Sequence, residues 1–174
     1  NAGTLDVSGT VSGNLTVNPD LWFTGGATVT GNLINAGTVS PGNSPGVLTV
    51  LGDYTQEITG TLIMEIGGLT QGVDYDFFDV SGLLALAGGL EITRSGNFNP
   101  VFGDTFELFA LDDIAGTFDS ISAFSLDGGL AWDFSNLYVD GSISVVPEPG
   151  TYAVLLGFIA LAATGLVRRR KPLV

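Results

Sequence analysis

The sequence predicts an all-β fold, a right-handed parallel β-helix or solenoid with an aromatic-rich β cap, followed by one C-terminal transmembrane helix. Three observations lead to this prediction: short alternating segments bounded by glycine or asparagine, repeated sequence words, and one uncharged run near the C-terminus. Alternation over about four to eight residues is typical of strands. The 26 glycines also favour strands and turns over long helices.

The first segment, residues 1–74, contains the repeats. Asn1-Ala2-Gly3-Thr4 returns as Asn35-Ala36-Gly37-Thr38. A unit of one or two short strands cannot bury its own apolar face, but stacked units form a continuous core. We therefore expect a β-solenoid here, truncated at its N-terminus because the chain begins inside a strand-like pattern. An antiparallel β-sandwich is the alternative.

The second segment, residues 75–145, has longer and more aromatic strands. We expect it to cap the solenoid, whose end would otherwise expose apolar surface and unpaired strand edges. Basic residues are scarce in this segment, which favours core positions over a stacking platform for its aromatic residues. The residues expected in or near the core are Phe77, Phe106, Phe109, Phe118, Phe124, Trp132, Phe134 and Tyr138.

Two stretches of these segments carry a resemblance to known proteins. Residues 35–68, "NAGTVSPGNSPGVLTVLGDYTQ…LIMEIGG", and residues 75–92, "YDFFDVSGLLALAGGLEI", resemble the β-helical passenger segments of bacterial autotransporters and related large surface proteins. The word "SPGNSPG" at residues 40–46 favours two consecutive tight turns, with a strand restarting at Val47. The resemblance implies a β-helical export domain.

Charge is divided unevenly along the chain. Residues 1–150 contain all eighteen carboxylates and a single cation, Arg94, which gives them a formal charge of −17. Nucleic-acid binding depends on Lys and Arg neutralising phosphates, so we expect no nucleic-acid partner. Cations and neutral polymers are easier partners for this surface.

The sequence offers few groups for catalysis or metal binding. It contains no histidine and no cysteine, which removes the common general base, the thiol nucleophile and most zinc sites. Asp74, Asp76 and Asp79 are weak candidates for calcium ligands or for an acid/base pair in glycoside cleavage. Solvated acids at turns and strand edges are the preferred interpretation, so we predict no catalytic residue, metal or cofactor.

The third segment, residues 146–174, concentrates the positive charge beside the apolar run. Thr151 to Val167 is uncharged and close to the minimum length for a transmembrane helix. The positive-inside tendency places the basic cluster after it in the cytoplasm and residues 1–150 outside. That cluster consists of Arg168, Arg169, Arg170 and Lys171.

A short motif precedes the apolar run. In Val146-Pro147-Glu148-Pro149, two prolines are expected to keep the backbone extended and out of both helix and sheet, which would leave it accessible for recognition. The order of this motif, an apolar span and an Arg-rich end closely resembles the PEP-CTERM sorting signal of Gram-negative bacteria. A permanent single-pass anchor is the alternative.

The resemblance to PEP-CTERM proteins implies how the protein is processed and where it functions. It implies a substrate of an exosortase, transiently anchored in the inner membrane and then delivered to the cell surface or to an exopolysaccharide-rich biofilm matrix. The expected function is therefore that of a non-enzymatic, exported surface or matrix protein. The alternatives are a secreted polysaccharide-cleaving β-helix enzyme and a glycan-binding adhesin. An adhesin would use Trp22 or Trp132, although an edge-packed core position is the preferred interpretation of Trp22.

Overall fold

The computed structural model describes residues 3–42, 45–110 and 113–150. Every named element in these ranges is a β-strand. In chain order they are β1 (Gly3–Asp6), β2 (Gly9–Val11), β3 (Leu15–Val17), β4 (Leu21–Gly25), β5 (Ala27–Val29), β6 (Leu33–Asn35), β7 (Thr38–Pro41), β8 (Val47–Val50), β9 (Tyr54–Gln56), β10 (Thr61–Ile66), β11 (Phe77–Val80), β12 (Leu83–Leu86), β13 (Gly89–Arg94), β14 (Thr105–Glu107), β15 (Phe109–Ala110), β16 (Asp113–Gly116), β17 (Ser120–Ala123), β18 (Leu130–Asp133) and β19 (Ser142–Pro147).

Most of these strands belong to three parallel sheets. One sheet has six strands in the order β1-β4-β7-β10-β13-β17, and two sheets have five, in the orders β15-β11-β8-β5-β2 and β16-β12-β9-β6-β3. Successive coils of the chain therefore add one strand to each sheet in turn. This all-β, parallel arrangement is consistent with the predicted β-helix or solenoid, and it contradicts the antiparallel sandwich.

The repeated words mark equivalent positions two coils apart. Thr4 pairs with Trp22, and Trp22 pairs with Thr38, so one intervening coil separates the two Asn-Ala-Gly-Thr words. Later coils are longer, because Tyr54 pairs with Leu84. Unequal coil length explains why no single repeat period is visible in the sequence.

A hydrogen-bonded ladder stabilises the turns between the two five-stranded sheets. The Asn14 side-chain oxygen accepts from the backbone N–H of Asn32, at 2.9 Å, and the Asn32 oxygen accepts from Asp53, at 3.0 Å. The Asp53 carboxylate then accepts from Leu83 at 2.9 Å. A Cβ at Gly52 would collide with the Asn32 side chain, so glycine is required immediately before the ladder residue in that coil.

We expect Asn32→Ala to lower the free energy of unfolding by about 1 kcal/mol, because the backbone N–H of Asp53 loses its acceptor. Asn97→Ala is the matched control, since Asn97 is exposed in the loop after β13. That control should change stability by less than about 0.5 kcal/mol. Equilibrium denaturation followed by circular dichroism compares the two, and equal losses would contradict a stabilising role for the ladder.

The core is continuous along the stack. In β10, Leu62, Met64 and Ile66 are fully buried and alternate with partly exposed residues. Burial continues beyond residue 75 with Phe78 in β11 and Leu84 in β12, which lie in the same parallel sheets as earlier strands. The expected boundary between residues 74 and 75 is thus not the end of the parallel stack, which extends to β17.

Three further strands form an antiparallel sheet in the order β14-β19-β18, and β14 lies in the chain between β13 and β15 of the parallel stack. The ring of Phe106 contacts Tyr75, Phe98 and Trp132 edge-on, with centroid distances of 5.3, 6.3 and 5.8 Å. Most of the aromatic residues expected in or near the core have such positions: Phe106, Phe109 and Phe118 are buried, and Phe124, Trp132, Phe134 and Tyr138 pack partly buried against the core. Phe77 is the exception, because it is partly exposed on β11 and does not belong to the residues packed against the core.

Candidate functional site

The outward face of the six-stranded sheet presents a row of small polar residues interrupted by one large aromatic residue. Strand alternation produces this row, since every second residue of β4 and β10 points into the core. The paired positions along the stack are Thr4, Trp22, Thr38, Thr61, Gly89 and Ser120.

Trp22 is the exposed aromatic residue of this row. Its side chain is 43% exposed, whereas its neighbour Phe23 is completely buried. The expectation that Trp22 is an edge-packed core residue is therefore wrong, because the alternation of β4 assigns the core position to Phe23. Trp132 lies partly buried instead, with its indole N–H donating to the Phe124 carbonyl oxygen at 2.9 Å.

A groove of about 510 Å³ runs from Trp22 to Arg94 across this face. Between these two ends it is lined by hydroxyl-bearing side chains, two acidic side chains and one apolar side chain. They are Thr38, Ser40, Thr61, Thr93, Glu65, Glu91 and Ile63. An adjoining depression of about 360 Å³ shares Trp22 and Thr38 and extends to Pro19 and Asp20.

The turn before β4 holds its backbone in an uncommon conformation. Asp20 has a φ of 67°, and no other described residue besides glycine has a positive φ. Aspartate tolerates the left-handed region better than most residues do. The Asp20 carbonyl accepts from the N–H of Gly3 at 3.1 Å, so this turn is fixed directly beside Trp22.

Asp74, Asp76 and Asp79 are not brought together as a site. Asp76 is fully buried and accepts from the backbone N–H groups of Gly46 and Glu65, each at 2.8 Å. Asp74 accepts from the Thr70 N–H at 3.1 Å. Hydrogen bonding from the Thr70 side chain, and then from its backbone, lowers the pKa of the Asp74 carboxyl. No group of three potential metal-ligating side chains occurs among the described residues.

Burial makes the carboxyl of Asp76 a weaker acid than an exposed aspartate. The loss of solvation raises the pKa of its carboxyl to about 7, against the opposing effect of the two donated hydrogen bonds. Such a shift can also indicate a functional acid. Here both carboxylate oxygens accept backbone hydrogen bonds, which supports a role in joining the segment before β8 to β10.

The motif at residues 146–149 is partly paired with a neighbouring β-strand. Val146 and Pro147 belong to β19 and pair antiparallel with Ala131 and Leu130. The Glu148 N–H donates to the Gly129 carbonyl at 2.8 Å, and the chain is exposed at Glu148 and Pro149. The expectation that the whole motif stays out of a sheet is therefore wrong, and the expected boundary between residues 145 and 146 lies inside β19.

The apolar run Thr151 to Val167 and the cluster Arg168, Arg169, Arg170 and Lys171 lie outside the described residues. Within residues 3–42, 45–110 and 113–150, no helix has the length and apolar character that crossing a membrane requires.

Neither sequence comparison nor structure comparison identifies a relative of this chain. No family model, curated protein or solved structure matches the chain. The function is therefore inferred from the residues themselves.

The groove was not predicted from the sequence. Its residues come from β4, β7, β10 and β13, and their lateral pairing depends on coil lengths that differ from one coil to the next. The usable signal was the recurrence of threonine at outward strand positions, as at Thr38 and Thr61.

Proposed function

We propose that this chain is a non-enzymatic, exported bacterial surface or extracellular-matrix protein that is sorted by an exosortase through residues 146–174. One observation carries the proposal: Val146-Pro147-Glu148-Pro149, the uncharged run and four consecutive cations follow in that order. The exposure of Glu148 and Pro149 directly after the last strand supports it, because a processing enzyme requires an accessible backbone there.

The finer features of the fold belong to the same proposal. The coils wind as a right-handed parallel β-helix, the usual hand for parallel crossover connections. The antiparallel sheet with its aromatic residues caps the stack, and Thr151 to Val167 forms a transmembrane helix that holds the protein in the inner membrane before release. Arg168–Lys171 then face the cytoplasm, and the folded domain lies outside.

A structural role is favoured over polysaccharide cleavage. Glycosidases of the usual kind need two carboxyl groups flanking the scissile bond. Asp76 is buried and bonded to the backbone, while Asp79 is partly exposed on β11. The candidate acids therefore do not form such a pair.

The first experiment measures the C-terminal mass of the mature protein from its host, grown with and without a functional exosortase. We expect loss of the apolar span only when the enzyme is active, with a new C-terminus at Glu148 or later. Bonds before Glu148 are held in β19 by pairing with β18, whereas a protease binds its substrate as a free extended strand.

Two results would contradict this processing. An intact Val174 in both cultures would make the tail a permanent anchor and remove the main support for the matrix function. A mature C-terminus at Pro147 or earlier would keep the sorting function but show that β19 opens before cleavage.

Glycan binding is a second candidate function that one observation favours. Trp22 exposes its indole in a groove lined by hydroxyl groups and carboxylates. Sugar-binding sites commonly combine an aromatic surface with a few polar groups. A matrix protein that binds its polysaccharide directly would unite both functions.

A further inference from the structure

We propose that the groove between Trp22 and Arg94 binds a linear glycan without acidic groups, with its sugar chain running diagonally across β4, β7, β10 and β13. This inference rests on the proposed function, because it assigns the surface through which a matrix protein would hold its polysaccharide.

The exposed face of Trp22 supplies the apolar contact. Its paired neighbours on the adjacent strands are Thr4 and Thr38, whose small side chains leave the indole uncovered. A pyranose ring presents a face of C–H groups that can pack on such an aromatic surface while its hydroxyl groups remain available for hydrogen bonds. The core does not need this side chain, because Phe23 fills the adjacent inward position.

The polar groups of the groove follow a diagonal path across the strands. Thr38 and Thr61 lie in register on adjacent strands, whereas Thr93 pairs with Glu65, four residues beyond Thr61 along β10. Neighbouring strands are about 4.8 Å apart, so β4 and β13 are separated by about 14 Å, and four residues along a strand add an offset of about 13 Å. This length accommodates several sugar units, and β7, β10 and β13 each offer a hydroxyl group to the chain.

The charge of the groove selects against acidic sugars. Glu91 is exposed on β13 and lines the groove together with Glu65. The guanidinium of Arg94 donates to the Ser125 carbonyl at 2.8 Å and lies 4.6 Å from the centre of the Phe124 ring. These contacts hold it at one end of the groove, so acidic groups elsewhere along the ligand would face carboxylates. Uncharged sugars are therefore accepted, and amino sugars are preferred.

The experiment measures binding of soluble oligosaccharides to the full chain in mild detergent by isothermal titration calorimetry. The probes are β-1,4-linked oligomers of glucosamine and of glucose, with an oligogalacturonate as the acidic comparison. We expect the first two to bind and the third not to bind. Trp22→Ala should weaken binding about tenfold or more, as removal of a central aromatic anchor usually does.

Two matched variants separate the groove from general surface effects. Ile34→Ala removes an apolar side chain of 38% exposure from another sheet and should leave binding unchanged. Glu91→Gln should weaken binding of the glucosamine oligomer and spare the glucose oligomer. Melting temperatures should stay close to that of the wild type in Trp22→Ala, because the side chain is outside the core.

The outcomes test the glycan-binding groove and the sorting function separately. Unchanged affinity in Trp22→Ala, or binding of oligogalacturonate as tight as that of the glucosamine oligomer, would overturn the assignment of the groove. In both cases the C-terminal mass of the protein from its host would still test the sorting function. Normal oligosaccharide binding by a chain that is never processed would support the groove and overturn the exosortase proposal.

Discussion

Replacing Gln56 with leucine is expected to lower the free energy of unfolding by about 3 kcal/mol, a large fraction of the stability of an ordinary domain. Gln56 is only 2% exposed. Its amide nitrogen lies 2.8 Å from the carbonyl oxygens of Ala87 and Gly89 and 3.2 Å from that of Gly60. Leucine would fill a similar volume but remove the amide donor from all three carbonyls, of which Gly60 would keep the backbone N–H of Gly89.

The loss of hydrogen bonds in Gln56→Leu extends to a second side chain, that of Tyr54. The Tyr54 hydroxyl donates to the Gln56 side-chain oxygen at 2.7 Å and accepts from the Asn35 amide at 3.1 Å. Burial raises the pKa of Tyr54 well above its ordinary value, so the phenol stays protonated and needs an acceptor. The network thus connects three successive coils, and its parts are expected to fail together.

Urea denaturation of Gln56→Leu and Gln71→Leu tests this expectation. Gln71 undergoes the same chemical change at an exposed position, where its amide donates to Glu107 at 3.2 Å. We expect Gln71→Leu to cost less than about 1 kcal/mol. Equal destabilisation of both variants would show that the buried network contributes little beyond the loss of a polar side chain.

The buried network also marks a limit of sequence reasoning about the fold. Alternation and glycine spacing predict the strands and the all-β class, since they depend on neighbouring residues only. Asn35 and Gln56 occupy inward positions of β6 and β9, where the alternating pattern predicts apolar residues. Their partners come from other coils, so the sequence alone does not identify these polar residues as interior.

Trp22 shows why the candidate site was only partly predictable. In "LWF", alternation requires one of Trp22 and Phe23 to face inward, but the sequence does not decide which one. In the structure β4 follows the turn at Asp20, and the buried residue of the two is Phe23. A shift of one residue would have exchanged their positions and removed the groove.

Pro147 illustrates the same limit at the C-terminus. Proline lacks the N–H group that a central strand needs, which favoured an unpaired motif. In the structure Pro147 is the last residue of β19, where it pairs only with Leu130 and lies beyond the positions paired with β14. Proline is tolerated at such strand ends.

The second large effect is a pH dependence that belongs to Asp76. We expect the free energy of unfolding to fall by roughly 1 kcal/mol per pH unit as the pH rises from about 5 to about 7, and to level off above pH 8. Burial raises the folded-state pKa of this carboxyl to about 7, whereas its ordinary value is 3.8. Between these values the folded state holds a proton that the unfolded state has lost, so raising the pH favours unfolding.

The variant Asp76→Asn separates this carboxyl from the seventeen others. It should remove the pH dependence, and it should also destabilise the protein by about 1–3 kcal/mol, because its amide group would face a backbone N–H of Gly46 or Glu65. Asp79→Asn, on the partly exposed face of β11, should keep the pH dependence of the wild type. Denaturation curves from pH 5 to pH 8.5 provide the comparison.

A pH profile shared equally by the wild type and Asp76→Asn would assign the effect to general repulsion among carboxylates. That alternative is physically reasonable for residues 1–150, because repulsion also grows as acids ionise. The two causes respond differently to salt. Screening reduces repulsion between exposed charges but hardly affects the desolvation of a buried carboxyl. A profile that persists in high salt and disappears in Asp76→Asn would therefore trace the pH dependence to the buried carboxyl that joins Gly46 to β10.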